Sequence, residues 1–454
     1  MASEPGHDKA PSRKDESWRL WAALVEQAAR NDELGRRLEA IESSQSWRVT
    51  APLRAIRRWF GVKQSAPTAL CPAAPFDAEQ QGADRIAADR MLVDVTELSI
   101  EDLGAGVQRV TRRLLQELLA APPAAVEIVP VRLAAGGGYC LARGFLAQLE
   151  GAEPGARGAD VAVNPRRGDR LIGLDFCRDR SDALADALAS IRNAGGTSSL
   201  IVHDVLPLTH PQWFPDAVSA AFERWLKVLS QYADRAICNS AVTAAELRLA
   251  LEARALQIPR GGIGVIPLGS DLLPAPSARV LPPRATGTWR VLTVGTIEPR
   301  KGYPQILEAL ELLWARGENV EWILAGREGW HMAEFIQRLR AHPQKGRALH
   351  WIEGPDDREL QSIYKSCDQL VMASHGEGYG LPIAEAGRLG LRLLLRDLPV
   401  FREVAGPAAE YFSGERASDL ATAIERSAAA HEPAVARGWP TWSDSAEALK
   451  NLVA

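Results

Sequence analysis

At 454 residues, 46% of them apolar, the chain is too long for one ordinary hydrophobic core and too apolar for a disordered protein, so two domains and a tail are expected. A formal charge of −4 excludes a nucleic-acid binder held by bulk positive charge. The cysteines, Cys71, Cys140, Cys177, Cys238 and Cys367, are odd in number and scattered, with no Cys-x-x-Cys pair, which argues for a reducing compartment and against a structural zinc.

The start, Met-Ala-Ser-Glu-Pro-Gly-His-Asp, lacks a hydrophobic signal region, and no run of about 18 apolar residues suits a bilayer span. Residues 17–42 carry Trp21, Leu24, Ala28, Leu34, Leu38 and Ile41 at helical spacing, which predicts an amphipathic helix able to pair with another copy or a partner. From Ser43 to Lys63 no acid offsets Arg48, Arg54, Arg57, Arg58 and Lys63, and Trp47, Trp59 and Phe60 interleave with them. That pattern suits an anionic membrane surface, and equally a solvated helix whose aromatics dock on the body. Residues 1–65 therefore form a basic helical segment and 66–87 a Pro/Ala-rich linker.

From Arg90 the pattern is strand, loop, helix, repeated. Strands are predicted at Met91–Val95, Val126–Leu133, Arg170–Phe176, Ser199–Asp204, Arg235–Asn239 and Gly264–Leu268, with a glycine loop at Asp102-Leu-Gly-Ala-Gly106 ahead of a helix over Val107–Leu119. This alternation implies a parallel sheet covered on both faces. Prolines between 273 and 288 mark a second linker, after which the pattern restarts. Strands are expected at Trp289–Gly295, Val320–Ala325, Ala348–Ile352, Gln369–Ala373 and Leu391–Leu395, and helices from about Pro304, His331, Asp356, Leu381 and Ala417. The fold class is α/β: doubly wound Rossmann-like domains at 88–274 and 289–435, a linker at 275–288, and a helix over 436–454 returning toward the first domain. A cleft between two such domains is a favoured ligand site.

Two stretches carry the chemistry. Ser374-His-Gly-Glu-Gly-Tyr-Gly-Leu-Pro-Ile-Ala-Glu385 joins a buried strand to a helix, with Glu377 in the loop and Glu385 expected in the helix's first turn. Gly295-Thr-Ile-Glu-Pro-Arg-Lys-Gly302 joins another strand to a helix and puts Arg300 and Lys301 just before its N-terminus. Two cations beside a helix's positive end suit a diphosphate, and carboxylates suit sugar hydroxyls. If both loops face one crevice, the four charged groups meet there, as a nucleotide-sugar site requires.

On these motifs, with the Gly104-Ala-Gly106 loop and a strand ending in His203-Asp204, the chain resembles the retaining glycosyltransferases of family 4, which have the GT-B fold, over about residues 90–450. The resemblance implies that Arg300 and Lys301 bind the donor diphosphate, Glu385 the ribose, and Glu377 the donor sugar. It implies that Gly295 and the backbone of Gly378, Tyr379 and Gly380 line the donor site, that Gly104 and Gly106 bring backbone close to phosphate or acceptor, and that His203 donates a hydrogen bond near the reacting sugar. The segments 168–176 and 203–214 are similar to members that build bacterial surface polysaccharides of the O-antigen type, often with mannose, and the Ser/Trp/Arg pattern at 44–54 to segments beside such domains. Asp204, His210 and Trp213 would face the acceptor, although Trp213 and Phe214 also read as core.

The implied activity is transfer of a hexose, first guess mannose from GDP-mannose, to a glycan or lipid-linked glycan. It would occur with no cofactor, no required metal and no nucleic-acid partner, in the cytoplasm or peripherally at the inner membrane. A nucleotide-sugar epimerase of the same fold, or an inert assembly subunit, are the alternatives.

Overall fold

The computed structural model describes residues 89–100, 102, 104, 106–134, 136–149, 151, 157–272, 281–430 and 437–454. The expectations for the helix at 17–42, the basic stretch at 43–63, the linker at 66–87 and the first part of the linker at 275–288 lie outside the described residues.

The chain forms two sheets. The first comprises β1 (Asp89–Asp94), β2 (Val126–Leu133), β3 (Tyr139–Leu141), β4 (Ala162–Val163), β5 (Arg170–Gly173), β6 (Thr197–Val202), β7 (Arg235–Cys238) and β8 (Ile263–Val265), in the order β4-β3-β2-β1-β5-β6-β7-β8. The second comprises β9 (Trp289–Val294), β10 (Val320–Ala325), β11 (Leu349–Ile352), β12 (Gln369–Met372), β13 (Arg392–Arg396) and β14 (Glu410–Phe412), in the order β11-β10-β9-β12-β13-β14, parallel throughout. Met91, Leu92 and Val93 are buried, as are Val291, Leu292, Ile323 and Leu324, because helices cover both faces of each sheet.

The first sheet departs from the all-parallel expectation. β3 and β4 add an antiparallel edge, with Val131 opposite Leu141 and Tyr139 opposite Val163. The chain reverses after β2 through Gly137 and Gly138, both at positive φ, and the Ala134 N–H donates to the Gly138 carbonyl at 3.0 Å. The strand expected over Arg170–Phe176 ends at Gly173, because Leu174 turns its carbonyl toward Thr111 and His203 instead of the ladder.

Topology positions the site. β1 is flanked by β2 and β5, and β9 by β10 and β12, so in each sheet the crossovers diverge to opposite sides and open a crevice at the strands' carboxyl ends. Within the second sheet, the loops after β9 and β12, at 295–302 and 373–380, border that crevice. The Trp442–Val453 helix then crosses back to pack on the Gly106–Ala120 helix of the first domain. Its N-terminus is fixed there: the Trp442 N–H donates to Asp271 at 2.7 Å, and Thr441 and Asp444 form a reciprocal capping box.

Candidate active site

A cleft of about 910 Å3 lies between the two domains. His203, Asp204, Gly104, Gly106, Gly295, Arg300, Lys301, Glu377, Gly378, Tyr379 and Gly380 all line it, whereas Glu385, His210 and Trp213 do not.

Glu377 is the centre of the charged cluster. It is 8% exposed, and its carboxylate accepts from Arg300 Nη1 at 2.5 Å, Lys301 Nζ at 2.6 Å and Ser374 Oγ at 2.9 Å. Burial works to raise its pKa, but Arg300 and Lys301 more than offset that and hold the carboxyl at about 2. Arg300 also pairs with Glu298 at 2.8 Å and donates to the Gly376 carbonyl at 2.8 Å. Burial works against the Arg300 charge, and Glu298 and Glu377 outweigh it.

Backbone geometry makes this convergence possible. Pro299–Lys301 is a single 3-10 turn closed by Gly302, whose φ of 69° is left-handed. A Cβ there would stand 2.1 Å from the Ala373 carbonyl oxygen at the end of β12, so only glycine lets the two loops touch. The His375 N–H donates to the Arg300 carbonyl at 2.7 Å and ties them together. Gly378 does the same between domains: a Cβ would lie 1.9 Å from the His203 carbonyl oxygen, and the Gly378 carbonyl accepts from Ser240 Oγ and Thr243 Oγ1 at 2.9 and 3.0 Å.

Glu385 departs from expectation twice. It is the fifth residue of the Leu381–Arg388 helix, and no acid occupies the first turn. One turn in, it is 1% exposed and faces neither Arg300 nor Lys301. Its carboxylate accepts instead from Arg109 Nη2 of the first domain at 2.5 Å and from the Tyr364 hydroxyl at 2.8 Å. Arg109, Tyr364 and Glu298 were not singled out from sequence. Arg109 belongs to the series Arg109, Arg112, Arg113, which falls within a helix legible by its apolar spacing alone.

His203 follows directly on β6, which ends at Val202, and its ring Nε2 is engaged within the first domain. Burial lowers its pKa and keeps it neutral, and Nε2 donates to the Leu174 carbonyl at 2.8 Å, which leaves Nδ1 as an acceptor. Asp204 accepts from the Leu206 N–H at 3.1 Å, at the start of the short Leu206–Thr209 helix. His210 and Trp213 stack on each other, ring centroids 4.1 Å apart, and the Trp213 carbonyl accepts from Trp330 Nε1 of the second domain at 2.7 Å. They form part of an interdomain seam. Phe214, next to Trp330, does line the cleft.

Two further acids, Glu97 and Asp175, line the first-domain wall. Burial, reinforced by Glu97, pushes the Asp175 carboxyl up to about 7, and burial raises Glu97 as well. Among the described residues no group of three or more His, Cys, Asp or Glu is arranged to hold a metal ion.

Two Rossmann-like domains closing a charged cleft define the GT-B fold. Residues 279–431 match the family described as glycosyl transferases group 1. The chain is 35% identical over 379 residues to the serotype-specific mannosyltransferase WbdA of Escherichia coli, a match covering 80% of this chain and 46% of that protein. It thus spans less than half the length of this relative. It is 30% identical over 144 residues, 31% of this chain and 38% of the relative, to O-antigen chain mannosyltransferase B of Escherichia coli. In fold it is similar to HepE of Anabaena, solved in complex with UDP and glucose, with a TM-score of 0.51 at 14% identity, covering 80% of this chain and 95% of that one.

Proposed function

We propose that this chain is a retaining glycosyltransferase that moves a hexose, mannose from GDP-mannose in the first instance, to a hydroxyl of a growing bacterial surface polysaccharide of the O-antigen type. The observation that carries the reading is the convergence of Arg300 and Lys301 on buried Glu377 at the crevice between the domains. A diphosphate offers the two cations a doubly charged partner in place of one carboxylate, and releases Glu377 toward the sugar's hydroxyls.

Transfer then proceeds on one face of the sugar. The bond from C1 to the phosphate oxygen breaks while the acceptor oxygen bonds to C1 from the same side, and the acceptor's proton passes to the departing phosphate. Arg300 and Lys301 offset the charge growing on that phosphate, a fixed electrostatic role that needs no divalent ion. His203, neutral and with Nδ1 as an acceptor, holds a sugar hydroxyl rather than supplying a proton. The similarity to mannosyltransferases supports the choice of sugar.

The test incubates purified protein with GDP-mannose and a mannose oligosaccharide, with and without EDTA, and resolves product and anomeric configuration by mass spectrometry and NMR. Extension of the acceptor by an α-linked mannose, insensitive to EDTA and reduced at least about a hundredfold in Glu377→Ala, is expected. Donor epimerised without acceptor indicates an epimerase. An unchanged product in Glu377→Ala removes the catalytic reading of the cluster.

A further inference from the structure

Arg109 is poised differently from the other cations of the cleft. It stands in the first turn of the Gly106–Ala120 helix, a turn that holds no acid, so its guanidinium adds to the helix's own positive end. Nη2 donates to Glu385 at 2.5 Å, and Nε lies 3.0 Å from Asp357 Oδ1. The Nε contact is an ion pair without hydrogen-bond alignment: Nε is buried and has no acceptor. A guanidinium presents five N–H donors in a rigid fork, and one aligned bond leaves most of this fork without a partner among the described residues. Arg109 itself lines the cleft, as Gly354 and Asp357 do, whereas Glu385 does not. A cation at a helix's positive end, lining the cleft, braced by two carboxylates and with donors to spare, is built to take an oxyanion.

We propose that Arg109 is a donor-site residue contributed by the first domain, whose guanidinium binds the nucleoside-proximal phosphate of a nucleoside diphosphate, with Glu385 behind it and Asp357 beside it fixing the fork. The proposal rests on the glycosyltransferase reading above and deepens it. Arg300 and Lys301 serve the sugar-side phosphate from the second domain, and Arg109 the other phosphate from the first, so a bound diphosphate draws both domains onto itself. Glu385 then acts as a positioning residue through Arg109. Lysine at 109 keeps the charge but not the fork.

The experiment measures GDP and UDP binding by titration calorimetry for the full chain and for Arg109→Gln and Arg109→Lys, with guanosine and uridine as phosphate-free controls. For the nucleotide that the unaltered chain binds, Arg109→Gln is expected to weaken diphosphate binding at least tenfold and leave nucleoside binding within twofold. Arg109→Lys is expected to fall between the two, and the KM for acceptor to stay unchanged. Diphosphate binding as tight as or tighter than in the unaltered chain overturns the proposal, because Arg109 is then a latch between domains. Equal losses for diphosphate and nucleoside overturn it too. If Arg109→Gln does not fold, Arg109→Lys decides, and binding equal to the unaltered chain sinks the idea. An unaltered chain that binds neither GDP nor UDP sinks the glycosyltransferase reading itself, an outcome distinct from all of these.

Discussion

Replacing Glu377 with glutamine separates the cluster's contribution to stability from its chemistry. Arg300 and Lys301 hold the Glu377 carboxyl at about 2 against 4.5 for an ordinary glutamate, which at about 1.4 kcal/mol per pH unit is roughly 3 kcal/mol in favour of the charged form. Breaking a buried ion pair by removing one partner commonly costs about 3–5 kcal/mol, a compatible range. Arg300 keeps Glu298 and the Gly376 carbonyl, so the loss falls chiefly on Lys301. Glu377→Gln should therefore unfold roughly 6–12 °C lower at pH 7, taking about 2–4 °C per kcal/mol for a domain of this size. The pH dependence has a definite sign. The folded pKa lies below the unfolded one, so the contribution is fully present above about 4.5 and is lost as pH falls toward about 2. Thermal melts of both proteins across that range should converge on acidification and stay apart by a constant gap above pH 5. A gap below about 0.5 kcal/mol at pH 7, or one that widens in acid, refutes the electrostatic account.

Gly378→Ala sets a Cβ against the His203 carbonyl and should cost at least about 2 kcal/mol and lower transfer with it. Unchanged stability and activity would show that the loop does not depend on that contact. Asp175 runs opposite to Glu377: its folded pKa of about 7 lies above the ordinary 3.8, so its contribution is present below 3.8 and is lost as pH rises through 7. Asp175→Asn should accordingly gain in melting temperature over the unaltered chain between pH 5 and 8, and a pH-independent difference would contradict this. Deleting residues 1–65 tests the basic stretch: salt-sensitive binding to anionic vesicles should fall, and binding that persists at the same level assigns that contact elsewhere.

What the sequence made legible follows from what is local. β10 and β12 read correctly from their apolar stretches, Trp322 to Ala325 and Leu370 to Met372, because a parallel strand buried on both faces leaves little polar alternation to recover. β3, β4 and β14 were not read: at three, two and three residues they are too short for periodicity, and they exist because β2, β3 and β13 respectively offer an edge to pair with. The same division holds at the site. Arg300, Lys301 and Glu377 lie on loops whose turn glycines are visible in the sequence, so their meeting could be argued from strand order alone. Glu385 and Arg109 are 276 positions apart and meet through the docking of one domain on the other, for which no local pattern exists. The ring of His203 is a similar case, since its free nitrogen depends on where β5 ends and lets Leu174 present a carbonyl. The residue types of a two-domain site are therefore readable in advance. Which acid holds which base is decided by docking, and the Glu385–Arg109 pair is the case in point: a carboxylate read from its own loop and helix takes its partner from the other domain.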